Sequence, residues 1–134
     1  MYIIIIYIYG LCMYVCLLIL DPRDKMQGFR RNSGRGGGTL YFGSDVTEAF
    51  LARNNLQVLI RSHEVAMQGY QVLHNNTCIT VFSAPNYCGD TGNVGAIIRY
   101  SDENSNKPIV TQFPPAAWLK AKRLQDNNDK TSSE

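Results

Sequence analysis

The sequence predicts an α/β fold of the α+β sandwich type, on three observations. Two short apolar runs, Leu56-Gln57-Val58-Leu59-Ile60 and Thr77-Cys78-Ile79-Thr80-Val81-Phe82, read as buried strands. Each passes straight into polar residues, Arg61-Ser62-His63-Glu64 in the first case and Ser83-Ala84-Pro85-Asn86-Tyr87-Cys88 in the second. Ahead of the first run lies one helical segment, opened by Gly43-Ser44-Asp45. Metal and ligand sites of α/β proteins are built where a strand gives way to a polar loop, because the sheet fixes the backbone while solvent still reaches the side chain.

Taken in order, residues 1–20 carry no charge and are dominated by Ile, Tyr and Leu. That length suits a membrane-spanning helix of roughly 20 residues, whereas the Tyr and β-branched Ile suit a buried strand equally well. A secretory signal is disfavoured, since a basic start and a small-residue cleavage site are both missing. Residues 21–38 are polar and rich in Gly and Arg, a loop by composition. No Gly-Lys-Ser/Thr follows the glycines, so they form no nucleotide-phosphate loop, and one short Arg-Gly-Gly stretch is slender evidence for RNA.

The helix is expected to be capped by Ser44 or Asp45, with Glu48 in the capping-box position if Asp45 is the cap; Val46, Ala49 and Phe50 share its apolar face, and Asn54-Asn55 end it. His63 then leaves the end of the first buried run, where packing would fix its ring. Residues 64–68 read as a turn and 70–73 as an alternating strand, and His74-Asn75-Asn76-Thr77 is a hairpin turn in which His74 is solvated. Pro85 lacks a ladder donor and ends the second run, and Gly89-Asp90-Thr91-Gly92-Asn93 is loop. Residues 94–100 and 109–113 form a closing hairpin, and the tail from Gln125 has the composition of a disordered segment.

A chain of 134 residues is one domain at most. Its net charge of +2, with 18% charged residues, makes no electrostatic case for nucleic acid or an acidic membrane surface. The four cysteines, Cys12, Cys16, Cys78 and Cys88, contain no C-x-x-C pair, and in a reducing compartment they would be free thiols. Cys78 lies in mid-strand and should be buried; Cys88 lies in a loop and should be at the surface.

The segments Ile60 to Glu64 with Gly69-Tyr70, and Thr80 to Cys88, together with Asp21-Pro22, Tyr41-Phe42-Gly43-Ser44-Asp45-Val46-Thr47 and Phe50-Leu51, resemble in their order the C-terminal half of the catalytic domain of the metal-dependent serine/threonine phosphoprotein phosphatases. The Ser of Arg61-Ser62-His63-Glu64 and the stretch from Phe42 to Leu56 look most like the branch of protein phosphatase 5 and the EF-hand phosphatases. The resemblance implies a partial calcineurin-like metallophosphoesterase β-sandwich, C-terminal half only, spanning residues 17–115, with an unrelated apolar segment at 1–16 and a polar tail at 116–134. Leu17-Leu18-Ile19-Leu20 keeps the leucines that precede Asp-Pro in the family but not its Trp and Ser. Residues 1–16 therefore read as a boundary artefact of the gene model or as a genuine anchor.

The resemblance further implies hydrolysis of phosphoserine and phosphothreonine in phosphoprotein substrates by water activated on a pair of divalent metal ions, manganese, iron or zinc, without a phosphoenzyme. His63 matches a metal-ligand position. Arg35 is the nearest match to the family's phosphate-binding arginine, although the chain carries one extra residue between it and Phe42-Gly43. Tyr87 would line the phosphoryl site, and Tyr87 with Cys88 would lie in the loop that meets cyclic-peptide toxins of the microcystin type. The family's upstream motifs, GDxHG, GDxVDRG and GNHE, do not occur here, so the bridging Asp, the Asn and the protonating His are missing and the chain alone is expected to be inactive. A reducing, cytoplasmic or nuclear location follows from the likeness; membrane contact through residues 1–20 is the alternative. The second function class is a non-catalytic, membrane-tethered, phosphatase-like interaction module.

Overall fold

A computed structural model describes residues 20–35, 38–99 and 108–116, which form three small sheets and one α-helix, the helix packing on residues of the first two sheets. In the first sheet β1 (Asp21–Pro22) pairs in parallel with β3 (Leu40–Phe42), and β2 (Phe29–Arg31) lies antiparallel on the other side of β3. Composition predicts only loop between residues 21 and 38, and here the structure corrects it. All of β2 is solvent-exposed, so ladder hydrogen bonds sustain the strand and no apolar alternation announces it.

The helix α1 (Ser44–Asn54) starts from a backbone cap at Gly43, with no capping side chain. Asp45, expected as a possible cap, instead accepts the Gly28 N–H with both carboxylate oxygens at 3.0 and 2.9 Å, fastening the preceding loop to the first turn. A side chain on Gly43 would run into the Met26 carbonyl, which excludes Ser or Asp from the cap position itself. Asn55 ends the helix in the left-handed conformation. Its N–H reaches Ala52 O, and Leu56 N–H reaches Leu51 O at 2.9 Å, the Schellman pattern. The buried face is Thr47, Phe50 and Leu51, an i, i+3, i+4 stripe; Ala49, predicted on that face, is exposed and Val46 only half-buried. Phe50 and Leu51 meet Phe42, Leu59 and Cys78 in the core, with Leu20, Val46 and Leu56 packed around them.

In the second sheet β4 (Leu59–Arg61) pairs in parallel with β6 (Cys78–Val81), and β5 (Tyr70–Leu73) is antiparallel to β6 on its other side. The strand begins at Leu59 rather than Leu56 because Leu56 is committed to closing the helix and packing on the core. Every residue of β6 is buried, as a central strand covered on both faces requires. The β5–β6 turn holds His74, Asn75 and Asn76 at φ of 53°, 54° and 70°.

His74 is buried, not solvated as its turn position predicts. Its Nδ1 lies 2.8 Å from Thr47 Oγ1, its ring meets Phe42 edge-on, and its backbone N–H donates to Asp24. The turn folds back against α1, and that long-range packing overrides the polar local sequence.

In the third sheet β7 (Gly95–Arg99) and β8 (Ile109–Phe113) pair antiparallel, as the alternation predicts. The residues that join them lie outside the described residues, as do residues 1–16 and the tail from Gln125. Ala96 N–H donates to Phe82 O and Val94 N–H to Met67 O, so the hairpin is sewn to the end of the second sheet where β6 finishes and β5 begins. Among the described residues no helix is long and apolar enough to cross a membrane.

Candidate active site

Strands β4 and β6 are parallel neighbours, so the His63 turn and the loop carrying Tyr87 leave from the same end of the sheet. His63 is exposed and sits at φ 91°, a backbone conformation a non-glycine residue adopts only when its surroundings enforce it. The backbone, and not the ring, is what the fold holds. Arg35 Nη2 donates to the His63 carbonyl at 2.7 Å, and Arg35 Nε is 3.1 Å from Asp21 Oδ2. Two residues singled out from sequence, Arg35 and His63, are thereby brought together across the fold.

Beneath them lies an ionic network that sequence reasoning missed. The Arg61 side chain is 0% exposed. Its Nη1 donates to Glu64 Oε2 at 3.0 Å and to Thr80 Oγ1 at 3.3 Å, while Nη2 stands 3.6 Å from Asp21 Oδ1, an ion pair beyond hydrogen-bond reach. Asp21 is itself buried and also accepts from Asn32 Nδ2 at 2.6 Å. Glu64 Oε1 accepts from Arg23 Nη1 at 3.0 Å, and Arg23 stacks over the Tyr41 ring. Burial lowers the Arg61 pKa, and the charges of Glu64 and Asp21 oppose that shift. For Arg23 burial also works against the charge, but the Glu64 hydrogen bond and charge, with Tyr41 and Asp21, outweigh it and raise the pKa. Three guanidiniums thus share two carboxylates around the His63 turn. The available signal was an arginine closing an apolar run with a glutamate three positions on.

Tyr87 is 46% exposed, and its ring packs edge-on against Phe82 with centroids 5.2 Å apart. The loop is organised by Asn93, which is fully buried: its Nδ2 donates to Ala84 O and Val94 O, and its Oδ1 accepts the Tyr87 N–H, each at 2.9 Å. Cys88 is exposed and Cys78 buried, matching their sequence positions, and burial pushes the Cys78 thiol up to about 12.

Among the described residues no group of three or more His, Cys, Asp or Glu side chains could hold a metal ion. Asp21 and Glu64 are both occupied by guanidiniums, which leaves the exposed His63 imidazole as a nitrogen donor at this turn. This donor set fits one ligand of a metal centre and does not by itself hold a metal.

No family model matches the chain. It is 50% identical over 99 residues to serine/threonine-protein phosphatase T of Trypanosoma brucei brucei, covering 74% of the chain and 21% of that protein. It is 53% identical over 99 residues to human serine/threonine-protein phosphatase 5, covering 74% of the chain and 19% of that protein. A solved Saccharomyces cerevisiae protein serine/threonine phosphatase, described as similar to human phosphatase PP5, superimposes with a TM-score of 0.59 at 36% identity, covering 72% of this chain and 32% of that one. The chain spans about a fifth of the length of these curated relatives.

The mixed sheets, the helix α1 and the loops at one end of β4 and β6 are therefore part of a phosphoprotein phosphatase fold, and the chain belongs to the serine/threonine phosphoprotein phosphatase family. Within that family it matches a portion of the phosphatases of the protein phosphatase 5 and T branch.

Proposed function

We infer that this segment serves a protein serine/threonine phosphatase by supplying His63 as a metal ligand, Arg35 as a phosphate clamp and Tyr87 as a lining residue. The observation that carries the reading is the 2.7 Å bond from Arg35 to the His63 carbonyl, which ties a guanidinium to the backbone of the residue that bears the exposed imidazole. With Nε and Nη2 engaged, Arg35 Nη1 has no partner among the described residues and suits a phosphoryl oxygen. His63 would be one ligand to a divalent metal, whether manganese, iron or zinc, which with a full ligand set would activate a water for hydrolysis. The remaining ligands and the general acid have no match among this chain's residues, and the chain alone is inactive. Residues 17–115 make up the phosphatase part, residues 1–16 are foreign to it, residues 116–134 are a tail, and the protein works in the cytoplasm or nucleus on phosphoproteins.

The test joins the chain to the upstream half of a phosphatase of the same branch and follows phosphothreonine-peptide hydrolysis with manganese binding. His63→Ala is expected to lose metal and nearly all turnover, because an imidazole ligand has no substitute nearby. Arg35→Ala is expected to raise KM and weaken inhibition by inorganic phosphate while metal stays bound. Turnover within a few fold of wild type in His63→Ala refutes the assignment, and activity of the unjoined chain above its own His63→Ala control refutes the need for an upstream half.

A further inference from the structure

Glu64 follows His63 directly, yet both its oxygens are taken: Oε2 by the buried Arg61 and Oε1 by Arg23, each at 3.0 Å. The two arginines belong to different parts of the fold. Arg61 closes β4 and reaches Thr80 on β6, while Arg23 follows β1, donates to Pro22 O at 2.7 Å and lies over Tyr41 of β3. On the opposite side the His63 carbonyl is held by Arg35, itself anchored on Asp21 of β1. The φ 91° residue is therefore gripped on both flanks by carboxylate–guanidinium pairs that span two sheets.

We propose that Glu64 is a positioning residue, whose bridge between Arg61 and Arg23 fixes the turn that presents the His63 imidazole to metal. The inference rests on the reading of His63 as a ligand. Glu64 does not act as a ligand or proton acceptor itself, because neither oxygen is free to approach a reacting atom. Its effect runs through the backbone. Without the bridge the left-handed conformation at His63 is held from one side only, and the imidazole loses the preorganisation a metal centre needs. Arg23 contributes the outer half of the bridge from a side chain that is 44% exposed, so it can be removed without opening the core.

The experiment uses the chain joined to an upstream phosphatase half and compares Glu64→Ala, Glu64→Gln, Arg23→Ala and His63→Ala. Each is measured for manganese(II) affinity, for kcat and KM on one phosphopeptide, and for thermal midpoint, with binding and kinetics run well below the lowest midpoint. Glu64→Ala is expected to weaken manganese binding about 10-fold and lower kcat by a similar factor with KM unchanged, in line with losses of about 10–100-fold for groups that orient a metal ligand. Glu64→Gln keeps one acceptor oxygen and is expected to recover part of both losses. Arg23→Ala is expected to show a smaller loss of the same kind, and it carries the test if Glu64→Ala does not fold.

A lower midpoint with unchanged manganese affinity in Glu64→Ala or Arg23→Ala means a merely structural bridge and overturns the proposal, provided His63→Ala does lose the metal. A His63→Ala variant that keeps manganese overturns the ligand assignment instead, and the positioning role with it.

Discussion

Replacing Asn93 by Ala tests whether one buried side chain organises the loop that carries Tyr87. The substitution removes two donated bonds, to Ala84 O and Val94 O, and leaves the Tyr87 N–H without its acceptor. The two donated bonds are worth about 1 kcal/mol each net, and the partly buried Tyr87 N–H left unpaired costs about 1 kcal/mol, the low end of the range of about 1–3 kcal/mol for buried donors, so the expected total is about 3 kcal/mol. The bond from Asn86 N–H to the Asn93 carbonyl is backbone and survives. Equilibrium urea unfolding of the chain reads the difference: with a slope of about 1.5 kcal/mol per molar, the midpoint should fall by about 2 M. Asn93→Asp is the informative companion. It keeps an acceptor for Tyr87 but turns a carboxylate oxygen toward two carbonyls, so it should destabilise at least as much as Ala. A loss below about 1 kcal/mol for both variants would mean that water replaces the side chain at no cost, and the view of Asn93 as the organiser of this loop would be wrong.

Gly69→Ala is expected to cost about 3 kcal/mol, because its φ of +74° disfavours any side chain and a Cβ there would meet the Gly95 carbonyl carbon and the Ala96 nitrogen of β7; a thermal midpoint equal to wild type would contradict this. Brief alkylation at pH 8 should modify Cys88 well before Cys78, whose thiol at about 12 offers roughly 1,000-fold less thiolate than one at 9, and faster labelling of Cys78 in peptide maps would defeat the placement of both residues. The Cys78 pKa is raised in the folded state, so its contribution to stability is complete below about pH 9 and is lost as pH rises toward about 12. A melting-point decline over that window, smaller in Cys78→Ala, is the expected result, and identical slopes would exclude Cys78 as its source.

Strands β5, β6, β7 and β8 were legible in the sequence because apolar alternation or a continuous apolar run marks them, although only β6 is buried throughout and β5 and β8 are at most half-buried. β2 was not, since its three residues are all exposed and only pairing with β3 defines it. The likeness to a phosphatase singled out His63 and Arg35, but not what holds them: Arg61 and Asp21 are buried because charges from three separate segments meet, and no single stretch of sequence records that meeting. His74 shows the same limit. Its neighbours Asn75, Asn76 and Thr77 read as a wet turn, and its burial is decided by Thr47, 27 positions away on the helix. Asn93 lay in a loop read correctly as a loop, yet nothing in a Gly-Asp-Thr-Gly-Asn stretch distinguishes a buried organiser from a solvated asparagine.

The sequence distances spanned by the clasp around His63 set an order of events during folding. The β5–β6 hairpin closes over a tight turn, and such local pairings form in microseconds. By contrast, the Arg35–His63 bond joins residues 28 apart, Arg23–Glu64 joins residues 41 apart, and Asp24 holds the His74 turn from 50 positions away. Contacts of that separation carry the loop-closure entropy and are made last. Substitutions at Arg23 or Glu64 should then leave the folding rate almost unchanged and appear mainly as faster unfolding. The chain thus acquires its sheets before its histidine is aimed, and the site is also the first part to come undone.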